Sequence, residues 1–162
     1  MDKDETPRFG LAGMRYSRYW YDETVIFEKS KNGVVKGRFD ISVSDPAVSV
    51  HNYFGRPVVE LIASVKQVIL PNDEDMTETE AISKDGVDCL EVVCVAGFVA
   101  EHIIHDGNME AFLENLSLYS RSVYWMVRQR VKTLTASTML NSDDLPWDLI
   151  RPETPVKAIT AE

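Results

Sequence analysis

An α+β fold is predicted for this chain, with four strands first and a short and a long helix after them. Three observations predict it. Aromatic and β-branched residues fall into strand-like patterns between residues 13 and 104, the three- and four-residue apolar period of a helix sets in only from Asp106, and 162 residues with 44% apolar and 27% charged composition lie in the globular range. A run of strands followed by a run of helices sorts into a sheet with helices packed on it. One domain is the simplest organisation at this length, and it buries about 70% of the surface that the unfolded chain exposes.

The stretch from Gly13 to Glu28 is rich in Tyr, Trp, Val, Ile and Phe, and its imperfect alternation reads as one long or bulged strand. Val34 to Val43 alternates cleanly, with Val35, Phe39, Ile41 and Val43 on one face and Lys36, Arg38, Asp40 and Ser42 on the other. Lys31-Asn32-Gly33 forms a turn signal, so the first two strands are expected to pair as a hairpin. Ser44 to Arg56 is punctuated by Asp45-Pro46 and Gly55, yet it carries Val48, Val50, Tyr53 and Phe54, more apolar surface than a plain loop needs.

Val58 to Leu70 is the third strand, with Val59, Leu61, Ala63, Val65 and Ile69 sharing a face and Pro71 ending it. Asn72 to Gly86 holds Asp73, Glu74, Asp75, Glu78, Glu80 and Asp85, which reads as a solvated loop, with docking of a basic partner as the alternative. Val87 to Ile104 is apolar on both faces over much of its length, as a central strand covered on two sides would be, and Gly97 breaks it locally.

Asp106 or Asn108 can cap a short helix carrying Met109, Phe112, Leu113 and Leu116. In the long amphipathic stretch from Tyr119 to Leu140, Tyr119, Val123, Val127, Val131 and Leu134 form one apolar stripe. The opposite side offers Arg121, Trp125, Arg128, Gln129 and Lys132, and the cations Arg121, Arg128, Arg130 and Lys132 read as a solvated helix face. Pro146, Pro152 and Pro155 mark the change to an extended tail over 148–162, which follows a single domain over 1–147.

The net charge of −9 disfavours nucleic acid, because the average field repels a phosphate backbone. Cys89 and Cys94 lie in one apolar run on opposite strand faces and read as reduced core thiols. With no apolar leader at Met1 to Arg8 and no apolar span of membrane length, a cytoplasmic protein without membrane insertion is expected.

No catalytic constellation stands out. In Glu101-His102-Ile103-Ile104-His105-Asp106 the histidines are three apart, not four as on a His-Glu-x-x-His helix, and strand alternation sends them to opposite faces. Cys94 beside Val92, Val93 and Val95 should have its thiolate disfavoured, so a Cys94–His102 nucleophile pair is set aside. Neither a Gly-x-Gly-x-x-Gly nor a Gly-x-x-x-x-Gly-Lys phosphate cradle occurs, and no cofactor is expected.

The order of four strands, a helix, a long helix and a proline-containing tail resembles the SecB family of bacterial protein-export chaperones. Gly97-Phe98 is similar to that family's Gly-x-Phe exit from its last strand. Val123-Tyr124-Trp125-Met126-Val127-Arg128-Gln129-Arg130-Val131 is similar to its long-helix signature, with Leu134-Thr135 matching the Leu-Thr that often follows. Trp125 stands where the family has proline and Gln129 where it has glutamate, and Asp144-Leu145-Pro146-Trp147 is a thin match to its proline-rich turn. Those departures point to a divergent member, such as the chaperones paired with toxin and antitoxin systems.

The resemblance implies an antiparallel four-stranded sheet with both helices on one face, assembling as a dimer of dimers. It also implies passive, ATP-independent holding of unfolded clients, either exported preproteins handed to the SecA motor or a dedicated antitoxin. A sheet apolar on two faces and helices for only one of them give an independent reason for self-association. Large, fairly rigid rings suit the gripping of unfolded chain, and the candidate groove residues are Tyr19, Trp20, Tyr21, Tyr53, Phe54, Tyr124 and Trp125. The alternative is a non-catalytic structural or adaptor protein of the same architecture without general client binding, with a metal-dependent hydrolase more distant.

Overall fold

Strand formation begins earlier than the aromatic run suggests and stops within it. The computed structural model describes residues 9–29, 35–49, 58–70, 77, 80, 85–100, 106–136, 138, 145–147 and 159–161. Its elements are β1 (Phe9–Tyr21), α1 (Glu23–Lys29), β2 (Val35–Val43), β3 (Ala47–Ser49), β4 (Val58–Ile69), β5 (Val87–Ala100), α2 (Asp106–Glu114), α3 (Leu116–Thr135) and β6 (Ile159–Ala161). Asp22 ends β1 and starts α1, because its Oδ1 accepts from the Thr24 amide at 2.9 Å and from the Thr24 hydroxyl at 2.6 Å. This side-chain cap turns Val25-Ile26-Phe27 into a helix in spite of its β propensity, and Ile26 enters the core. The single strand expected over Gly13 to Glu28 is therefore a strand followed by a helix.

All pairings are antiparallel, in the order β1-β5-β4-β2-β6, with β3 also on β4. The expected β1–β2 hairpin does not form: β1 pairs with β5, β2 pairs with β4, and the intervening Lys31-Asn32-Gly33 lies outside the described residues. Bulges between Leu11 and Gly13 and between Tyr16 and Arg18 account for the imperfect alternation of β1. β3 resumes alongside β4 after a break at Ser44 to Pro46, where the Ile62 amide donates to the Ser44 hydroxyl. Among the described residues the sheet holds two strands beyond the four expected, β3 on β4 and β6, from the tail, on β2.

β4 and β5 fill the centre of the sheet. Val59, Leu61, Ala63 and Val65 of β4 and Leu90, Val92, Cys94 and Ala96 of β5 are all buried toward the helices. Gly86 leads into β5, where an added Cβ would stand 2.5 Å from the Ile69 carbonyl oxygen and 2.6 Å from a Val68 methyl, so no larger residue fits. Over the helix face, Phe9, Phe98, Phe112 and Tyr119 stack together with centroids between 4.5 and 6.0 Å, joining β1, β5, α2 and α3 at one end. Leu113, one of the apolar residues expected on the short helix, is exposed.

The stripe of α3 is where the period places it, with Val123, Val127 and Val131 buried and Tyr119 and Leu134 packed at its margins. It is wider than a single row, since Ser120, Tyr124, Arg128 and Thr135 are buried as well. The far face of the sheet is polar for the most part. Lys66 reaches Asp88 at 3.2 Å and Glu91 at 3.8 Å, Arg18 reaches Glu91 at 3.8 Å, and Arg38 pairs with Asp40 at 2.9 Å. Val58, Ile62, Val68, Val93, Val95, Val99 and Trp20 lie on the same face among these charges, so β5 is apolar on both sides.

Candidate functional site

β1 is the edge of the sheet, bonded to β5 on one side and to no described strand on the other. Its thirteen residues contain two arginines and no acid. The register fixes the direction of each side chain: Tyr16, Tyr19 and Tyr21 stand opposite Cys94, Val92 and Leu90 on the helix side, whereas Arg15, Arg18 and Trp20 stand opposite Val95, Val93 and Glu91 on the outer side. Leu11, Met14, Tyr19 and Trp20 are all exposed, Tyr19 to 52%.

On the helix side α3 runs beside this edge. The Tyr16 hydroxyl donates to the Met126 carbonyl at 3.3 Å, and the Arg130 guanidinium lies over the Tyr19 ring at 4.5 Å and the Tyr16 ring at 5.3 Å. Burial is the main reason the Tyr16 phenol is held above its ordinary pKa, with Arg130 opposing the shift. The Arg130 Nε is buried without a hydrogen-bond partner. Rings, a cation and an open backbone edge thus meet along one border of the molecule.

The candidates do not share one groove. Tyr19 and Trp20 flank the β1 edge from opposite faces, and Trp20 Nε1 donates to Glu91 Oε2 at 3.2 Å. Tyr21 packs against the core. Tyr124 is core outright, 1% exposed, with its hydroxyl donated to the Pro146 carbonyl at 2.6 Å, so it offers no ring face to a ligand. Trp125 lies on the other flank of α3 with Trp147, their centroids 6.1 Å apart. Tyr53 and Phe54 lie outside the described residues, as do His102 and His105.

Between the two tryptophans sits Arg128, expected on a solvated face but only 1% exposed. Its Cζ is 4.1 Å from the Trp147 centroid and 5.4 Å from that of Trp125, and Nε, Nη1 and Nη2 have no hydrogen-bond partner. Trp147, itself 70% exposed, forms the lid over this cation, and Lys132 approaches the same ring at 5.3 Å. No local pattern signals this enclosure, because the lid comes from a separate segment.

Both cysteines are free and buried, and burial pushes Cys89 up to about 12 and Cys94 up to about 11. Neither thiol is poised as a nucleophile. Among the described residues no group of three His, Cys, Asp or Glu is placed to hold a metal, and no helix is long and apolar enough to cross a membrane.

No protein-family model matches the chain, and no curated protein matches it. Among solved structures it is similar to a Mycobacterium tuberculosis SecB-like chaperone, determined in complex with a ChAD peptide from the HigA1 antitoxin. The two share 15% identity with a TM-score of 0.44, over 91% of this chain and 93% of that one.

Proposed function

We propose that this protein is an ATP-independent holdase that retains non-native polypeptide at the β1 edge. One observation carries the reading: a thirteen-residue edge strand leaves one side of its backbone open and is bordered by exposed Leu11, Met14, Tyr19 and Trp20. Unfolded chain exposes backbone donors and acceptors together with apolar side chains. An added strand satisfies the former through main-chain hydrogen bonds, and the rings cover the latter. Neither contact depends on a particular sequence or needs a nucleotide.

The long-helix motif agrees with a SecB-like role, served from the cytoplasm, for exported preproteins passed to SecA or for one antitoxin. Assembly as a homotetramer belongs to the same reading. The adaptor alternative draws on the two bulges and the arginines of β1, devices that also blunt an edge against pairing.

Suppression of aggregation of an unrelated, chemically unfolded protein tests the proposal. The full chain is expected to suppress it at near-stoichiometric ratios without ATP, and Met14→Ser with Tyr19→Ser is expected to abolish the effect while leaving the circular dichroism spectrum unchanged. Failure of the full chain with every client would overturn general holding in favour of the adaptor. Undiminished suppression by the double variant would place the binding surface elsewhere.

A further inference from the structure

On the flank of the sheet opposite β1 the chain supplies a strand of its own. Ile159–Ala161 forms β6 and runs antiparallel to the start of β2, with Ile159 opposite Gly37, Thr160 opposite Lys36 and Ala161 opposite Val35. Isoleucine and threonine are β-branched and favour the extended backbone that such pairing needs. Residues 148–158 tether this strand to Trp147, whose ring lies on Arg128 of α3.

The cover is short. From Arg38 to Val43, β2 has β4 on one side and no described strand on the other. Along that stretch Ile41 and Val43 are partly buried against the core, and Val48 of β3, further along the same flank, is 50% exposed. Unpaired backbone and incompletely covered apolar residues thus continue past the point where β6 stops.

We propose that β6 is a displaceable strand with which the chain closes its own β2 edge, and that a β-prone extended segment of another polypeptide takes the edge by displacing it. β6 is remote from β2 in sequence, so its pairing shows that this edge accepts an antiparallel strand that no hairpin delivers. An incoming segment that spans Val35 to Val43 pairs along all of β2 and covers Ile41 and Val43, whereas β6 engages three residues. It starts on the open backbone from Arg38 onward and replaces β6 pair by pair, without waiting for the edge to clear. The tether opposes it, because a linked strand competes at a high effective concentration. A second copy is the poorer occupant, since joining β2 to β2 requires two tails to leave and an outside segment requires one. The inference adds a regulated acceptor to the holding proposed at β1 and does not depend on it.

The test uses a fluorescent synthetic peptide of residues 152–162 as the incoming strand. It is offered to the full chain, to a form truncated after Ala158, to Thr160→Pro, and to Lys36→Cys with Thr160→Cys, oxidised so that a bridge between directly opposed positions locks β6 in place. Proline lacks the N–H that a ladder needs, and buried Cys89 and Cys94 do not compete for the new bridge. If the tail holds the edge about nine-tenths of the time, anisotropy is expected to show the truncated and proline forms binding the peptide about tenfold more tightly than the full chain. The locked form is expected not to bind and to regain binding on reduction, a comparison that decides the matter even where truncation unfolds the chain. Equal affinity of the full, truncated and locked forms would place the peptide elsewhere and overturn the inference, as would binding to none of them. A truncated form that doubles in mass and takes no peptide would show a second copy on the edge and overturn it too. Aggregation suppression by the full chain is read separately, so holding at β1 stands or falls independently of these results.

Discussion

Replacing Arg128 with methionine should make this protein more stable. The guanidinium is enclosed at 1% exposure with three nitrogens lacking acceptors. Leaving a buried polar group unsatisfied costs about 1–3 kcal/mol, so the three together cost on the order of 3–9 kcal/mol. Against this stand two ring contacts, at 4.1 and 5.4 Å, and a desolvated cation–π contact contributes roughly 2 kcal/mol. The contacts offset about 4 kcal/mol at most, so the cation is a net burden over most of that range.

Methionine retains an unbranched apolar stem and a sulfur that packs well against rings, without the desolvated charge. The expected gain is about 1–3 kcal/mol, comparable to that seen when buried ionic groups are exchanged for apolar ones. In thermal unfolding this amounts to roughly 2–4 °C per kcal/mol for a chain of this size. Urea denaturation at fixed protein concentration provides the second measurement, with an unchanged m-value showing that the folded state is the same. A loss of about 1 kcal/mol or more would refute the reasoning, since it would mean that Arg128 has partners worth more than its desolvation. A double-mutant cycle with Trp147→Leu isolates the ring term, expected at about 1–2 kcal/mol.

Two further outcomes follow from the geometry. Tyr124→Phe removes the 2.6 Å hydrogen bond that ties α3 to the Pro146 carbonyl; it should cost about 1 kcal/mol and shift the fluorescence of Trp147, and an unchanged spectrum would show that the segment is held by other contacts. Cys89 and Cys94 are raised from 9.0 to about 12 and about 11, so the folded state keeps its thiol protons where the unfolded chain has begun to lose them. Their contribution is complete below pH 9.0 and is lost progressively as pH rises toward about 11 for Cys94 and about 12 for Cys89. Alkaline unfolding should accordingly weaken in Cys89→Ala and Cys94→Ala relative to their neutral-pH stabilities, and rapid labelling of the native thiols at neutral pH would contradict their burial.

Much of the architecture was legible because it is local. The alternation of Val59, Leu61, Ala63 and Val65 and the stripe of Val123, Val127 and Val131 each follow from one period read along one segment. The double-sided apolarity of Val87 to Ala100 marked the strand that lies between two others. What escaped depends on residues that override a stronger neighbour or meet from afar. Asp22 caps a helix within a β-prone run, and one hydrogen-bonding carboxylate outweighs the propensity of Val25-Ile26-Phe27. The pairing of β1 with β5 spans about half of the sequence, and nothing in either segment names its partner.

The two arginines of the long helix carry the same logic further. Arg128 and Arg130 are two residues apart, about 200° around the helix axis, and each rests on a pair of aromatic rings. On one flank the chain closes the arrangement itself, with Trp147 drawn over Arg128 by the Tyr124–Pro146 hydrogen bond and by buried Leu145. On the other, Tyr16 and Tyr19 support Arg130 with their rings, and its Nε is left without a hydrogen-bond partner.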